Sequence, residues 1–512
     1  MYSVLNFPPA PLARAARLLS LFALLASASA WGQGLQENAA ACPSPPEKIP
    51  SLTYDEEARY LANPSCRTNP LHQINDPKVA DQTAAAQNAV SDNHDIGWFP
   101  VERMNERLPR WIQFGGEYRA QFEGQNNIKW GTNTDRYFLS RFRLRTTIKP
   151  VNWFSIVAEL QDARVGLNNP RFIPNAPNFQ DTWDLWQGYV QFGSSDSGWA
   201  NLKVGRQVLE FGDGRVIGPS NWTNTARTFD AVLLDLQHAQ SKVSIFASSV
   251  VVQQDGGFDH HHQGNNLYGI YGSSRDLIPQ ATLEPYVLWR VAPDNQKFTA
   301  SSFPGKLSEV TVGVRLAGKL PNAFDYNMEM QRQTGSIGAR SISAWAGYWS
   351  LGKTLRSVAT TPRLFIESNY ASGTKNPKGD WSTYDMIYPS EHDKLGFADQ
   401  IGKRNSQQIR VGIEETIGKR RKLSLRQAYM NFWLATTQDG LYTNGGAPSL
   451  PAAPSARARH VGQELDLVAT YHLDKKSEIG FGYSRIFTGP YLKAVTDGRD
   501  FGYPFLYLRY SF

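Results

Sequence analysis

Hydrophobic and polar residues alternate one by one in residues 140–148, which read SRFRLRTTI. Arg141, Arg143 and Arg145 alternate there with a phenylalanine and a leucine. Successive side chains of a β-strand point to opposite faces, so an extended chain places the three arginines on one face and the apolar groups on the other. A helix would mix the two sets. The segment is therefore predicted to be a strand with one cationic and one apolar face.

The same two-residue period continues through most of the chain. It begins abruptly after Trp111, and it predicts about eighteen strands, an even number. The predicted strands are residues 112–123, 138–148, 154–161, 183–192, 201–209, 228–236, 242–252, 266–273, 281–291, 308–318, 324–331, 341–350, 363–370, 408–416, 423–436, 461–472, 478–487 and 501–512.

The connections between these strands alternate between short and long. The odd-numbered connections tend to be long: 124–135, 163–182, 210–227, 253–264, 292–307, 371–407, 437–460 and 488–500. The even-numbered ones are mostly short and turn-like: 149–151, 193–199, 237–241, 319–322, 417–422 and 473–477. An outer-membrane barrel has this alternation, with short periplasmic turns at one rim and long external loops at the other.

Lipid offers no hydrogen-bond partner to an exposed strand edge, so membrane-spanning strands must form a closed ring. The predicted fold is all-β: a closed antiparallel transmembrane β-barrel of about eighteen strands, wide enough for an aqueous channel. Residues 506–512 alternate in the same way and end in Phe512. This pattern resembles the terminal strand that the barrel assembly machinery of Gram-negative bacteria recognises, so we expect that machinery and outer-membrane lipid as partners.

The composition fits this fold. Hydrophobic residues make up 41% of the chain, the mean hydropathy is −0.44 and aromatic residues make up 12%. No apolar run approaches the roughly 18 residues that a membrane helix needs. A helical membrane protein is therefore excluded, whereas a barrel is not, because only every second strand residue faces lipid.

The N-terminal residues carry features of export. Arg14 and Arg17 precede a short apolar run and a small-residue site ending at Ala30, so residues 1–30 are predicted to be a cleaved signal peptide. Residues 31–109 lack strand alternation and are predicted to be a periplasmic extension, with a short helix over 54–61 and the barrel following over 110–512. Cys42 and Cys66 are expected to form one disulfide there, with two unpaired thiols as the alternative.

The charge balance points to anionic partners. The formal net charge is +7, and export makes nucleic acid an unsuitable partner. If the apolar face of residues 140–148 meets lipid, its arginines face the lumen, where rings of arginine select anions. The predicted substrate-conducting residues are Arg119, Arg141, Arg143, Arg145, Arg164, Arg206 and Arg215. The alternative is that these arginines pair with Glu117, Glu123, Glu159 and Asp162 and brace the wall.

Other candidate chemistry is weak. Three consecutive histidines, His260 to His262, lie in a predicted external loop, where solvated side chains are expected rather than a metal site. Gly212, Asp213 and Gly214 are predicted to form a turn. No catalytic, metal or cofactor motif is found, so we predict neither an enzyme nor a bound cofactor. An outer-membrane hydrolase, or a receptor barrel plugged by residues 31–109, remain as alternatives.

Several stretches resemble the alginate-export family of outer-membrane proteins. The resemblance lies in residues 115–119 (GGEYR), 202–215 (LKVGRQVLEFGDGR), 227–236 (RTFDAVLLDL), 461–469 (VGQELDLVA) and 481–491. It covers roughly the predicted barrel and hardly the extension. It implies a monomeric eighteen-stranded barrel in the Gram-negative outer membrane, whose electropositive lumen passes an acidic polysaccharide outward.

The predicted function is thus an anion-selective channel. Outward passage of an alginate-like polysaccharide, supplied by a periplasmic export complex, is the first hypothesis, and a porin for uptake of small organic anions is the second. The long connection over 371–407 carries five cationic residues and either folds into the pore or stays outside, and the sequence leaves this open.

Overall fold

The computed structural model describes residues 100–194, 198–293, 305–418 and 422–512. The predicted signal peptide, the helix over 54–61, most of the extension and both cysteines lie outside these residues. The first described element is helix α1, Pro100–Arg107. The side chain of Asn105 donates to the carbonyl oxygen of Phe114 and accepts a bond from its N–H, at 2.7 and 2.9 Å. The helix is thereby attached to the first strand.

Twenty strands follow the helix. They are β1 Ile112–Ile128, β2 Asn133–Val151, β3 Phe154–Gly166, β4 Asp181–Gly193, β5 Ala200–Gln207, β6 Phe229–His238, β7 Ser241–Val252, β8 His260–Ser274, β9 Ala281–Ala292, β10 Leu307–Leu320, β11 Phe324–Ile337, β12 Arg340–Thr354, β13 Arg363–Ala371, β14 Ser406–Ile417, β15 Leu423–Leu434, β16 Leu441–Tyr442, β17 Pro448–Leu450, β18 His460–His472, β19 Ser477–Thr488 and β20 Phe501–Ser511.

Eighteen of these strands form one closed antiparallel sheet, and β16 and β17 form a separate small hairpin. Each barrel strand pairs with the next one along the chain, and β1 also pairs with β20, where Glu117 is opposite Ser511. The sheet therefore has no free edge. This confirms the predicted eighteen-stranded antiparallel barrel.

The two faces of the wall differ as the alternation predicts. In β2, Arg141 and Arg143 are buried on the inside, whereas Phe138 on the other face is exposed. The outer face carries many exposed large apolar side chains, among them Tyr118, Phe122, Leu160, Val232, Ile270, Trp289, Ile366, Phe481 and Leu506. An apolar outer band of this kind is typical of a barrel in a lipid bilayer.

The two rims also differ in the length of their connections, as predicted, except that two connections on the long-loop rim are short. Long connections on the long-loop rim include residues 208–228, 372–405 and 435–459. Two connections on this rim are short, however: residues 129–132 join β1 to β2, and residues 338–339 join β11 to β12. The prediction of a long connection over 124–135 is wrong, because β1 and β2 continue their pairing to the rim.

Helices are few. A 3₁₀ turn, Pro321–Ala323, joins β10 to β11, and helix α2, Pro490–Val495, lies between β19 and β20. Within the described ranges, neither helix has the length and apolar character needed to cross a bilayer, and nor does α1.

Two long connections fold into the barrel. Loop A is residues 208–228, between β5 and β6, and loop B is residues 372–405, between β13 and β14. They pair with each other through the backbone of Tyr388. Its N–H donates to the carbonyl oxygen of Val216 at 3.0 Å, and its carbonyl oxygen accepts from the N–H of Gly218 at 2.9 Å. Tyr388 also packs edge-on against Phe229 of β6, with ring centroids 5.2 Å apart. The interior is therefore narrowed by two connected loops, which answers the question that the sequence left open for residues 371–407.

Candidate functional site

Loop A is held by the arginines of β1 and β2. Arg119 donates to the carbonyl oxygens of Asn221 and Thr223 at 2.9 and 3.1 Å. Arg141 donates to the same two oxygens, both at 3.1 Å. Arg119 and Arg141 are opposite each other in the register of β1 and β2, so their side chains lie on the same face of the sheet. Both are buried, on the inner face. Two guanidiniums on neighbouring strands are thus hydrogen-bonded to the same short stretch of loop A backbone.

Arg143, the next inward residue of β2 toward the short-turn rim, also binds loop A. Its donors reach the side-chain oxygens of Gln161 at 2.8 Å and Asn221 at 3.1 Å, and the carbonyl oxygen of Thr225 at 3.3 Å. The guanidinium carbon lies 3.3 Å from the ring centroid of Trp186. A stacked, hydrogen-bonded guanidinium is held in one orientation.

Two of the predicted wall carboxylates pair with these arginines. Glu117 pairs with Arg141 at 2.5 Å, and Glu159 pairs with Arg145 at 2.7 Å. The side chain of Arg145 is 44% exposed, so it is the most accessible arginine of the 140–148 segment. Glu123 instead accepts hydrogen bonds from neutral neighbours on the inner wall.

Arg164 lies on the outer face, so its predicted place in the lumen is wrong. It is opposite Ser140, whose neighbours along β2 point inward, and it shares a face with the exposed Leu160. It pairs with Asp162 at 2.8 Å, and its side chain is 54% exposed. Residue parity explains this position, since 160, 162 and 164 point to the same side of an extended strand.

Arg206 is also on the outer face, and its predicted place in the lumen is likewise wrong. It shares this face with the exposed Val204. It is opposite Asp230 of β6 and pairs with that carboxylate at 2.9 Å. Its other donors reach the carbonyl oxygens of Leu185 and Asp259 at 3.2 and 3.0 Å.

Arg215 belongs to loop A and reaches the opposite wall. It pairs with Glu367 of β13 at 2.9 Å and with Asp213 at 3.1 Å, and its guanidinium carbon lies 3.8 Å from the ring centroid of Tyr348. Burial opposes ionisation of Asp213, but the charges of Arg215 and Arg315 hold the pKa of this carboxyl below its usual range. Asp213 stands in a turn, as predicted.

Loop B is fixed to the wall on two sides. On one side, Asp385 forms a buried ion pair with Arg290 of β9, and Tyr388 donates to the side chain of Asn265 at 3.0 Å. On the other side, Ala398 donates its N–H to Glu464 of β18 at 2.9 Å. The loop therefore bridges the lumen.

The spacing of the polar residues in the GQELD segment, residues 462–466, has a local explanation. Glu464 and Asp466 alternate on the inner face of β18, and both accept backbone N–H groups of loop B, from Ala398 and from Phe397. Gly396 precedes these donors with φ +107°, and a Cβ on it would lie 2.5 Å from Glu464 Oε1. This glycine lets the loop backbone approach the wall.

The two loops meet at an aromatic contact that sequence analysis missed. Trp222 of loop A stacks on His392 of loop B, with ring centroids 4.2 Å apart and planes at 11°. The same indole packs edge-on against Phe505 and Tyr507 of β20 and donates to the hydroxyl of Tyr503 at 3.1 Å. No signal within either loop indicates this pairing, because the partners are 170 positions apart in the numbering of the chain.

Toward the short-turn rim the inner wall carries mixed ion pairs. Arg363 pairs with Asp325 and Glu414 at 2.6 and 3.1 Å, and Arg426 pairs with Glu414 and with Asp393 of loop B at 3.2 and 3.0 Å. These side chains are 27 to 34% exposed. Burial opposes ionisation of Asp393, but Lys394 and Arg426 lower the pKa of this carboxyl. This end of the lumen thus presents both signs of charge.

The three histidines also differ from their predicted setting. His260, His261 and His262 begin β8 instead of lying in a loop, and His260 and His261 are opposite Val252 and Val251 of β7.

Comparison with known proteins agrees with this architecture. Residues 110–501 match the alginate export family. Among solved structures, Pseudomonas aeruginosa OpdQ is similar with a TM-score of 0.53 at 11% identity, over 80% of this chain and 99% of that one. P. aeruginosa OpdO gives 0.52 at 12%, over 80% and 99%, and P. aeruginosa OpdL gives 0.52 at 11%, over 79% and 99%. No curated protein matches the chain.

Proposed function

Because this chain belongs to the alginate export family, we propose that it carries an acidic polysaccharide of the alginate type outward across the Gram-negative outer membrane. The protein is an outer-membrane β-barrel channel. The substrate and the role of the arginines are the parts of the proposal that need a test.

One observation supports an anionic substrate: two inner arginines, Arg119 and Arg143, donate to neutral oxygens, whereas Arg141, Arg145 and Arg215 are paired with carboxylates. The donors of Arg119 reach oxygens of Asn221, Thr223 and Asn224, and its buried Nε has no partner among the described residues. A carboxylate is a better acceptor for a guanidinium than a carbonyl oxygen is, because it adds an ionised acceptor and can take two parallel hydrogen bonds. A substrate carboxylate would therefore compete with loop A for these donors.

This competition suggests how the channel admits its substrate. A carboxylate that binds Arg119 or Arg143 displaces peptide oxygens of loop A, and the loop moves away from β1 and β2 as the chain of sugars advances. Arg145, which is the most exposed of the set, receives the substrate on the short-turn side. Repeated sites of moderate strength suit transport better than one tight site, because the substrate must also leave.

Uptake of small organic anions is the second candidate. The observation in its favour is the narrowing of the lumen by loops A and B, which are hydrogen-bonded to the inner wall, at β1 and at β18 respectively. A small anion needs a smaller displacement of these loops than a polysaccharide does. The two candidates differ in whether alginate oligomers enter and block the pore.

Planar-bilayer recording of the purified protein tests both candidates. We expect anion selectivity, with current that alginate oligomers block from the side of the short turns. In an aqueous lumen, two unit charges about 4 Å apart interact by about 1 kcal/mol, so the variant R141Q/R143Q/R145Q should lose about fivefold in anion-to-cation selectivity.

The matched control is Arg164→Gln, which removes the same charge from the outer face. Selectivity should be unchanged in this control. Anion selectivity without block by oligomers would favour the small-anion candidate, and cation selectivity of the unaltered channel would contradict both.

A further inference from the structure

The barrel wall is interrupted at the long-loop rim beside β5. This strand ends at Gln207, where loop A turns inward, whereas its neighbour β4 extends to Asp181. The turn between β7 and β8, residues 253–259, folds over against the unpaired end of β4. Asp255 of this turn accepts hydrogen bonds from the side chains of Gln180 and Thr182 at 2.7 and 2.8 Å. The turn thus covers the gap in the wall.

Three carboxylates converge where the turn meets β4. Asp181, Asp184 and Asp259 each offer an oxygen, and these oxygens lie within 4.8 Å of one another. Asp184 uses its oxygens to accept the backbone N–H groups of Leu185 and Asp259. The three carboxylates are therefore crowded, and the cation whose charge reaches Asp181 and Asp259, Arg206, forms its own ion pair with Asp230.

An independent feature points to a missing partner. Asp181 is only 1% exposed, and its Oδ1 is buried without a partner in good hydrogen-bond geometry among the described residues, with the side-chain amide of Gln161 as its neighbouring donor. A buried carboxylate oxygen without a donor or cation is strongly destabilising. Arg206, the nearby cation, forms its ion pair with Asp230 and donates otherwise to backbone oxygens.

We infer that Asp181, Asp184 and Asp259 bind a divalent cation, with Ca²⁺ as the best match, and that this ion fastens the β7–β8 turn to β4. Calcium takes oxygen ligands at about 2.4 Å, so two of its ligands are at most about 4.8 Å apart. The observed spacing satisfies this limit. An all-oxygen ligand set favours calcium over zinc or copper, which prefer nitrogen and sulfur.

Such an ion would act as a fastener of the rim. Two of its ligands belong to β4 and one to the turn, so binding joins segments that are about 75 residues apart. The ion would stabilise the wall where β5 is too short to pair with the end of β4. This site is separate from the arginines that hold loop A.

The test is a calorimetric titration of the detergent-folded barrel with CaCl₂ after removal of metals with EDTA. We expect one binding site per chain. Asp181→Asn and Asp259→Asn should each weaken binding by more than about tenfold, because calcium affinity depends on the number of charged ligands. Asp497→Asn is the matched control: it removes the same charge from an exposed position in the connection between β19 and β20, outside the cluster and outside the turn, and it should bind calcium as the unaltered protein does.

Hydrogen exchange gives a second readout that does not depend on the heat of binding. Calcium should slow amide exchange in residues 253–259 of the unaltered protein and of the Asp497→Asn variant, but not in the Asp181→Asn and Asp259→Asn variants. Each variant is first checked for the compact barrel by its mobility on unheated gels. Absence of binding in the unaltered protein, or undiminished binding in an Asp181→Asn/Asp259→Asn double variant, would overturn the inference.

Discussion

Replacement of Trp222 by alanine should release loop A from loop B. The indole makes three aromatic contacts, with His392, Phe505 and Tyr507, and one hydrogen bond, to Tyr503. Aromatic pairs contribute roughly 0.5–1.5 kcal/mol each, and a hydrogen bond contributes about 1 kcal/mol net. Because Trp222 is only partly buried, we take the low end of the sum, about 3 kcal/mol.

This loss changes the equilibrium between the docked and the released loop by about a hundredfold, since about 1.4 kcal/mol corresponds to a factor of ten. Amide hydrogen exchange measures it directly, because amides that exchange by local opening report the free energy of that opening. The amides of Asn224 and Arg227, which donate to Asn178 and Pro219 at 3.1 and 2.7 Å, report on loop A. Their exchange should accelerate by about two orders of magnitude in W222A.

The control for this experiment is Trp199→Ala. Trp199 lies at the short-turn rim and is 78% exposed, so its removal should leave the exchange of loop A unchanged. If the amides of Asn224 and Arg227 exchange equally fast in W222A and in the unaltered protein, the stacked ring does not hold the loops together and the reasoning is refuted. Equal acceleration in both variants would point to a general loss of stability instead.

Three further results are expected. Burial raises the pKa of Glu210 to about 7 from 4.5, so folded loop A binds more protons than the unfolded loop between these values and loses stability as the pH rises through this window. The protection of the loop A amides, which is the intrinsic exchange rate at each pH relative to the observed rate, should therefore fall across this window in the unaltered protein and stay constant in Glu210→Gln. Arg215→Ala leaves the buried Glu367 without its ion-pair partner and should lower the thermal midpoint of the barrel, since breaking a buried pair costs roughly 3–5 kcal/mol; an unchanged midpoint would contradict this. Gly396→Ala should speed exchange of the Ala398 amide because the new Cβ meets Glu464, whereas Gly256→Ala, at a positive φ in open space, should have no effect there.

Sequence reasoning succeeded where a single strand carries its own information. The alternation in β2 correctly placed Arg141 and Arg143 on the inner face and Phe142 on the outer face, because the side-chain period of two is a property of the backbone itself. The same rule would have placed Arg164 outside, on the face of Leu160, and Arg206 outside, on the face of Val204. These two arginines were placed in the lumen because of their charge, without regard to the face on which alternation along the strand puts them.

The interior could not be predicted in the same way. Whether loops A and B enter the barrel depends on contacts between distant residues, such as Arg119 with Asn221 and Trp222 with His392. No local pattern encodes such partners. The pairing of arginines with Glu117 and Glu159 was predicted as an alternative, and both pairs are present, but the loop carbonyls that share Arg141 were not foreseen.

The pairing of β1 with β20 has a consequence for the order of folding. Asn126 is opposite Gly502, so the last contacts of the wall join residues that are separated by most of the chain. Contacts between residues so far apart in the sequence form slowly, because the entropy of closing a long loop is lost before the contacts contribute any stabilisation. Early in folding the sheet therefore remains an open ribbon whose two outer strands expose unsatisfied backbone groups. Kinetic protection of these edges until the C-terminal strand arrives is a requirement that this topology imposes on the cell.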